Sequence, residues 1–80
     1  MKLTIITPDK LVFEGPVTSV TVPGTAGSFQ ILKDHAAIVS TLEDGKVIIK
    51  NGNDEQSLLI KGGVVEVKDN NIILLAEGIA

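Results

Sequence analysis

The sequence contains no cysteine, tryptophan or tyrosine, and phenylalanine occurs only twice among its 80 residues. The absence of cysteine excludes disulfide bonds and thiolate metal sites. A net charge of −3, with Phe13 and Phe29 as the only aromatic residues, argues against nucleic acid as a partner, because nucleic-acid binding depends on clustered cations and commonly on stacking aromatic side chains. A domain this small must be held by its packing alone or by docking on a larger partner.

Long apolar runs are also missing. No run approaches the roughly 20 residues that span a bilayer, and Met1-Lys2 is followed by the alternating Leu3-Thr4-Ile5 rather than by the apolar stretch of a signal peptide. The content of 44% hydrophobic and 21% charged residues is that of an ordinary globular protein. We expect a soluble, cytoplasmic chain whose residues 1–80 form one domain around a single core.

Short β-rich runs are separated by turn residues at regular spacing, a pattern typical of a β-sandwich or barrel. They leave no room for a long helix, and we predict an all-β, two-sheet antiparallel sandwich of about nine to ten short strands. The predicted strands are Leu3–Thr7, Leu11–Glu14, Pro16–Val22, Ser28–Leu32, Ile38–Leu42, Lys46–Lys50, Gln56–Lys61, Val64–Lys68 and Ile72–Glu77.

Turn residues predict how some of these strands pair. Asn51-Gly52-Asn53-Asp54 and Asp69-Asn70-Asn71 tolerate the positive φ angles of tight turns, so each predicts an antiparallel hairpin. Gly62-Gly63 predicts a bulge or corner between two strands, or a close approach by another backbone.

The last predicted strand differs from its neighbour in its hydrophobic pattern. Alternation places Val65 and Val67 inward and Glu66 and Lys68 outward, whereas Ile72–Leu75 is apolar on both faces. We therefore expect Ile72–Leu75 to be covered on both sides, either in the buried centre or at an interface.

The residue pattern gives little support for a catalytic site or a metal-binding site. The only histidine, His35, would have to meet Ser28 or Ser40 and a carboxylate such as Asp34 or Glu66, and nothing in the spacing demands this. One histidine with scattered carboxylates also lacks the second imidazole or the thiolates of a typical metal site. We expect no catalytic residues, no metal and no cofactor.

A phosphate-binding loop and a carrier domain are two further alternatives. Pro23-Gly24-Thr25-Ala26-Gly27-Ser28 is rich in glycine, but the strand-like Ser28–Leu32 follows where a phosphate cradle needs the N-terminus of a helix. Biotinyl and lipoyl domains are all-β units of similar size that present one lysine at a hairpin tip. Lys10 would be that lysine here, although it lies too near the start of the chain for half of the required strands to precede it.

Most of the chain, in order, resembles the N-terminal β-sandwich domain of the epsilon subunit of rotary ATP synthases, called delta in mitochondria. The resemblance combines a glycine-rich loop with the histidine that follows it and a later glycine pair. It is carried by Thr7-Pro8, Val12-Phe13-Glu14-Gly15, Val20, Val22-Pro23-Gly24, Gly27, Phe29, Ile31-Leu32, His35-Ala36, Ser40, Leu42, Gly45, Gly62-Gly63-Val64-Val65-Glu66-Val67 and Leu75-Ala76-Glu77.

The resemblance implies a role and partners as well as a fold. Epsilon is a non-catalytic subunit of the central stalk that binds the gamma subunit and stands on the polar loops of the membrane c-ring, so that rotation of the ring turns gamma. It implies a peripheral position at the cytoplasmic face of a bacterial inner membrane. By this resemblance Ala26, Gly27, Ser28 and Gln30 face the c-ring, and Thr7 and His35 face gamma. An alternative role for His35 is to cap a turn by bonding to the backbone.

The sequence departs from many relatives in two places. Ala26 and Ser28 stand where many relatives carry acidic residues, which favours hydrogen bonds and shape over charge at the ring contact. The sequence ends at Glu77-Gly78-Ile79-Ala80, without the two C-terminal helices of many bacterial members, so we expect no inhibitory helical arm within these residues.

Overall fold

The computed structural model describes residues 1–80, and every regular element in it is a β-strand. No segment forms a helix that is long and apolar enough to cross a membrane. The eight strands are β1 (Lys2–Ile6), β2 (Leu11–Pro16), β3 (Ser19–Gly24), β4 (Gly27–Leu32), β5 (Ile38–Leu42), β6 (Gly45–Asn51), β7 (Asp54–Lys68) and β8 (Asn71–Ile79).

The all-β prediction is confirmed, but the strand count is lower than the expected nine to ten. Two predicted strands, Gln56–Lys61 and Val64–Lys68, join into the 15-residue β7. They join because Gly62 and Gly63 adopt φ values of 44° and 138°, which let the strand bend without ending. The register with β8 is unchanged across Gly62, since Lys61 pairs with Gly78 and Gly63 with Ala76, and the Asp44 carboxylate accepts a hydrogen bond of 2.9 Å from the Gly62 N–H. The glycine pair is therefore a corner and not a bulge, and the close approach by another backbone is present, because a Cβ on Gly63 would collide with the Leu75 carbonyl oxygen.

Strand β7 connects the two layers of the sandwich. Residues up to Ile60 pair with β6, and residues from Gly63 pair with β5. One layer has the order β2-β1-β8-β7-β5, and the other has the order β7-β6-β3-β4. On the opposite side of the sandwich, β3 of one layer pairs with β5 of the other at a single position, Gly24 with Leu42.

The sheet is mixed, which corrects the expectation of a wholly antiparallel sandwich. β1 runs parallel to β8, with Lys2 opposite Asn71 and Ile6 opposite Leu75. Parallel neighbours need a long connection, and here nearly the whole chain lies between the two strands. The boundary of β3 also differs, because Pro16 ends β2 and the turn after it is fixed by the hydrogen bond from the Val17 N–H to the Met1 carbonyl.

Both predicted hairpins are confirmed. Asn51 pairs with Asp54 across a two-residue loop whose first residue, Gly52, has a φ of 63°, as a type II′ turn requires. Lys68 pairs with Asn71 across a loop in which Asp69 and Asn70 have φ values of 50° and 61°, as in a type I′ turn.

The core lies between the layers as one cluster of 15 buried hydrophobic residues. Val65 and Val67 belong to it while Glu66 and Lys68 are exposed, as the alternation predicts. The expectation that Ile72–Leu75 is covered on both sides is wrong within this chain, because only Ile72 and Leu74 face the core. The outward side chains of this strand, Ile73 and Leu75, are exposed.

Candidate partner-binding surfaces

The outward face of the β2-β1-β8-β7-β5 layer carries an unusual amount of exposed apolar surface. Ile73 and Leu75 on β8 are 40% and 50% exposed, Val39 on β5 is 71% exposed, and Leu11 on β2 is 54% exposed. The strand registers place these residues on one side of the sheet with two further apolar residues. We call this set the outer apolar face: Ile6, Leu11, Val39, Val64, Ile73 and Leu75.

The registers arrange the outer apolar face in two rows. Leu75 lies opposite Val64 on one side and Ile6 on the other, and Ile6 lies opposite Leu11. In the second row Ile73 lies between Thr4 and Glu66, with Glu14 beyond Thr4 and Val39 beyond Glu66. Contiguous exposed apolar surface of this kind marks a site that another molecule covers. The expected interface at Ile72–Leu75 therefore has a structural basis on its outward side.

An open cleft of about 1090 Å³ adjoins one end of the outer apolar face. Its wall includes Thr7, Thr41 and the carboxylates of Glu43, Asp44 and Glu77. No serine or histidine lines this cleft, and its hydroxyl groups are those of Thr7, Thr25 and Thr41. Across the chain, no three histidine or carboxylate side chains cluster in a way that could hold a metal ion.

Thr7, one of the two residues expected to face gamma, lies at the cleft and is only 6% exposed. Its amide donates a hydrogen bond of 2.9 Å to the Lys10 carbonyl, and its hydroxyl donates a second of 3.3 Å to the same oxygen. Its carbonyl accepts from the Lys10 N–H at 3.3 Å. Thr7 thus shapes the turn between β1 and β2, and its neighbours Pro8 and Asp9 present the exposed surface there.

His35, the other residue expected to face gamma, lies half-buried in the loop between β4 and β5. Its amide donates to the Leu32 carbonyl at 3.1 Å, which closes a four-residue turn, and its Nδ1 lies 2.7 Å from the Ala36 carbonyl. The alternative in which His35 bonds to the backbone of its own turn is therefore compatible with the geometry. Its Nε2 has no hydrogen-bond partner within the chain.

The structure does not bring Thr7 and His35 together. Thr7 follows Ile6, which pairs with Leu75, whereas the loop of His35 contacts Asn70 at the other end of the sheet. The two ends are about five residues of β8 apart, or roughly 16 Å at 3.3 Å per residue. A partner that touches both residues must therefore extend over about this distance.

The residues expected to face the c-ring lie together. Ala26, Gly27, Ser28 and Gln30 are all exposed, on the tight hairpin between β3 and β4 and along β4 itself. The hairpin is tied to β5 by hydrogen bonds from the Thr25 N–H to the Thr41 carbonyl at 3.0 Å and between the two threonine hydroxyls at 2.8 Å. This loop and Thr7 lie at the same end of the sandwich.

Sequence reasoning missed one contact near these surfaces. Asp34, which precedes His35, forms two hydrogen bonds with Asn70 across 36 positions of the chain. Both residue types tolerate positive φ, and that is the only local signal. Nothing in the spacing indicates that they meet.

Comparisons with known proteins give the same family over essentially the whole chain. A family model described as the β-sandwich domain of the ATP synthase delta/epsilon chain matches residues 1–80. The chain is 48% identical over 80 residues to the ATP synthase epsilon chain of Chlorobium limicola, covering 99% of this chain and 91% of that one. It is 42% identical over 77 residues to the epsilon chain of a Leptospira interrogans strain, covering 96% of this chain but 61% of that one.

Solved structures share the fold at lower identity. A chain in the Euglena gracilis mitochondrial ATP synthase (OSCP/F1/c-ring) superposes with a TM-score of 0.90 at 22% identity, covering 98% of this chain and 51% of that one. A chain in the Tetrahymena thermophila mitochondrial ATP synthase central stalk and c-ring superposes with a TM-score of 0.82 at 24% identity, covering 99% and 64%.

Proposed function

The chain belongs to the family of ATP synthase delta/epsilon β-sandwich domains, and we propose that it is a non-catalytic subunit of the central stalk of a rotary ATP synthase. In this role it joins the gamma subunit to the c-ring and passes the rotation of the ring to gamma. The observation that carries the proposal is the outer apolar face, which is uncovered in this chain and adjoins the surface expected to meet the ring.

The gamma subunit is the occupant that we propose for the outer apolar face. Val39, Ile73 and Leu75 supply the exposed apolar area, and burying such side chains is the main favourable term in association. Thr7 and His35 lie at opposite ends of the same layer, so a gamma subunit that covers the outer apolar face between them can reach both.

The c-ring is the partner that we propose for the hairpin between β3 and β4. Ala26, Gly27, Ser28 and Gln30 are exposed and uncharged, so hydrogen bonds and close backbone approach are the means of contact. This hairpin is distinct from the central residues of the outer apolar face, so gamma and the ring can be bound at the same time.

Rigidity suits a subunit that transmits torque. The chain forms 50 hydrogen bonds between backbone atoms, and 41 of them lie within its strands. One close-packed core joins the two layers, and such interiors have low compressibility. A rigid domain of this kind can transmit torque from the surface that contacts the c-ring to the surface that contacts gamma with little internal deformation.

The proposed complex also defines where the chain works. It stands peripherally at the membrane through its contact with the c-ring, at the cytoplasmic face of the inner membrane in a bacterium. No second function has comparable support, because the family assignment groups the chain with ATP synthase chains rather than with carrier domains.

The decisive experiment measures binding of this chain to purified gamma subunit. Leu75→Lys places a charge at the centre of the outer apolar face and is expected to weaken binding by roughly 2–4 kcal/mol. Leu59→Lys is the matched control, because Leu59 is 51% exposed, as Leu75 is 50% exposed, but lies on the part of β7 that pairs with β6.

Two results would count against the proposal in different ways. Absence of binding between the unaltered chain and gamma would overturn the proposed function. Binding that Leu75→Lys leaves unchanged would move gamma to another surface while leaving the stalk role intact.

A further inference from the structure

A reciprocal pair of hydrogen bonds ties the loop of His35 to the hairpin between β7 and β8. The Asp34 N–H donates to the Asn70 Oδ1 at 2.7 Å, and the Asn70 Nδ2 donates back to the Asp34 Oδ1 at 3.1 Å. We call this pair the Asp34–Asn70 clamp. It joins two loops that are 36 positions apart in the chain.

Both members of the clamp have a left-handed backbone. Asp34 has a φ of 64° and Asn70 a φ of 61°, in a region that non-glycine residues adopt at some cost. Such conformations persist where the surrounding structure over-determines them, and they concentrate at binding sites and clamps. In Asp34 this conformation completes the turn from Leu32 to His35, because a type II turn needs positive φ at its third residue.

The segment from Lys33 to Ala37 has little else to hold it. Its one hydrogen bond between backbone atoms runs from the His35 N–H to the Leu32 carbonyl. Lys33, Ala36 and Ala37 are exposed, so packing does not fix them. The clamp is therefore the main tie between this loop and the rest of the sandwich.

We propose that Asp34 and Asn70 are positioning residues that hold the His35 loop in the conformation that binds gamma. This inference rests on the proposed function. A loop that is already ordered loses less conformational freedom on binding, so the clamp raises affinity without touching gamma itself. Asn70 immediately precedes β8, the strand that supplies Ile73 and Leu75. The clamp therefore also fixes the position of the His35 loop relative to the outer apolar face.

Asn70→Gly and Asp34→Gly test the clamp, because glycine accepts the positive φ and removes only the side-chain bonds. Each variant is expected to weaken binding to purified gamma about tenfold, the effect of one or two lost hydrogen bonds. The double glycine variant is expected to bind like Asn70→Gly, because that substitution already removes both bonds, whereas Asp34→Gly keeps the bond from its backbone N–H to the Asn70 Oδ1.

An exchange of the two side chains gives a sharper test. Asn70→Asp alone removes the donor and sets two carboxylates face to face, so gamma affinity should fall by more than tenfold. Adding Asp34→Asn restores one donor and one acceptor in reversed order, and the affinity should return to within about twofold of the original. Asp34→Asn alone keeps the acceptor for Asn70 and should have little effect.

Thr18→Ala is the control for a purely structural role. Thr18 also joins two loops, since its hydroxyl donates to the Lys50 carbonyl at 3.2 Å and accepts from the Gly52 N–H at 3.1 Å. Neither loop carries His35. Thr18→Ala should lower the melting temperature about as much as Asn70→Gly does, yet leave gamma affinity unchanged.

Hydrogen exchange separates loop order from global stability. In Asn70→Gly the amides of residues 33–37 should exchange faster while those of β3 and β8 keep their protection. The inference is overturned if the unaltered chain binds gamma and Asn70→Gly binds equally well, or if the exchanged pair fails to recover affinity. Absence of gamma binding by the unaltered chain would instead overturn the proposed function beneath it.

Discussion

Two glycines with nearly the same φ angle should respond very differently to substitution by alanine. Gly27 has a φ of 128° and Gly63 a φ of 138°, so a side chain is strained at both positions. A Cβ on Gly27 would meet no atom within 4 Å. A Cβ on Gly63 would collide with the Leu75 carbonyl oxygen and lie 3.0 Å from the Ala76 Cα.

The expected losses follow from these surroundings. Gly27→Ala incurs backbone strain alone, about 2 kcal/mol, and should lower the melting temperature by roughly 8–16 °C. Gly63→Ala incurs the same strain and also forces β8 away from β7, which adds about 3 kcal/mol from disturbed packing. A total near 5 kcal/mol approaches the roughly 4–12 kcal/mol expected for the whole stability of a domain of this size.

Thermal unfolding followed by circular dichroism, with urea unfolding at 25 °C as a second measure, would test this pair. We expect Gly27→Ala to fold and unfold reversibly, and Gly63→Ala to melt more than about 20 °C below the unaltered chain or not to fold. Equal melting temperatures for the two variants would refute the reasoning. That result would mean that β8 moves away from Gly63 at little cost, and that φ alone explains the glycine.

Three further predictions concern the proposed complex. His35→Asp should weaken gamma binding by roughly 2–4 kcal/mol, and unchanged affinity in a titration would remove His35 from that interface. Gly27→Val should abolish proton-coupled ATP synthesis in the assembled enzyme and leave hydrolysis by the detached head intact, whereas full coupling would show that this loop does not contact the ring. The purified chain should not hydrolyse ATP, and measurable phosphate release above that of a heat-denatured sample would contradict a non-catalytic role.

Local features of the fold could be predicted because short-range chemistry decides them. Positive φ at Gly52 and at Asp69 and Asn70 is a property of those residues and their turns, so both hairpins were predictable. The alternation at Val65 and Val67 has the period of a strand with one buried face, and the structure follows it.

Pairing between distant strands could not be predicted in the same way. Ile72–Leu75 is apolar on both faces, and periodicity alone does not say whether the second cover comes from this chain or from a partner. The parallel pairing of β1 with β8 likewise leaves no pattern in either strand, because both would be equally apolar beside an antiparallel neighbour.

The candidate surfaces show the same division. The resemblance supplied Thr7 and His35 as a pair, but only the tertiary structure shows that they lie at opposite ends of one sheet, with the outer apolar face between them. The Asp34–Asn70 clamp joins residues 36 positions apart.

By itself the sequence determined the all-β class, the tight turns and the corner at Gly62-Gly63, which depend on residues that are neighbours in the chain, and the family, which depends on a pattern that runs from Thr7 to Glu77. The tertiary structure alone decided the order of the strands, the uncovered side of β8 and the link between the His35 loop and Asn70. The physical reason is that side-chain period and turn chemistry act over a few residues, whereas register and exposure depend on which distant strands come to lie side by side.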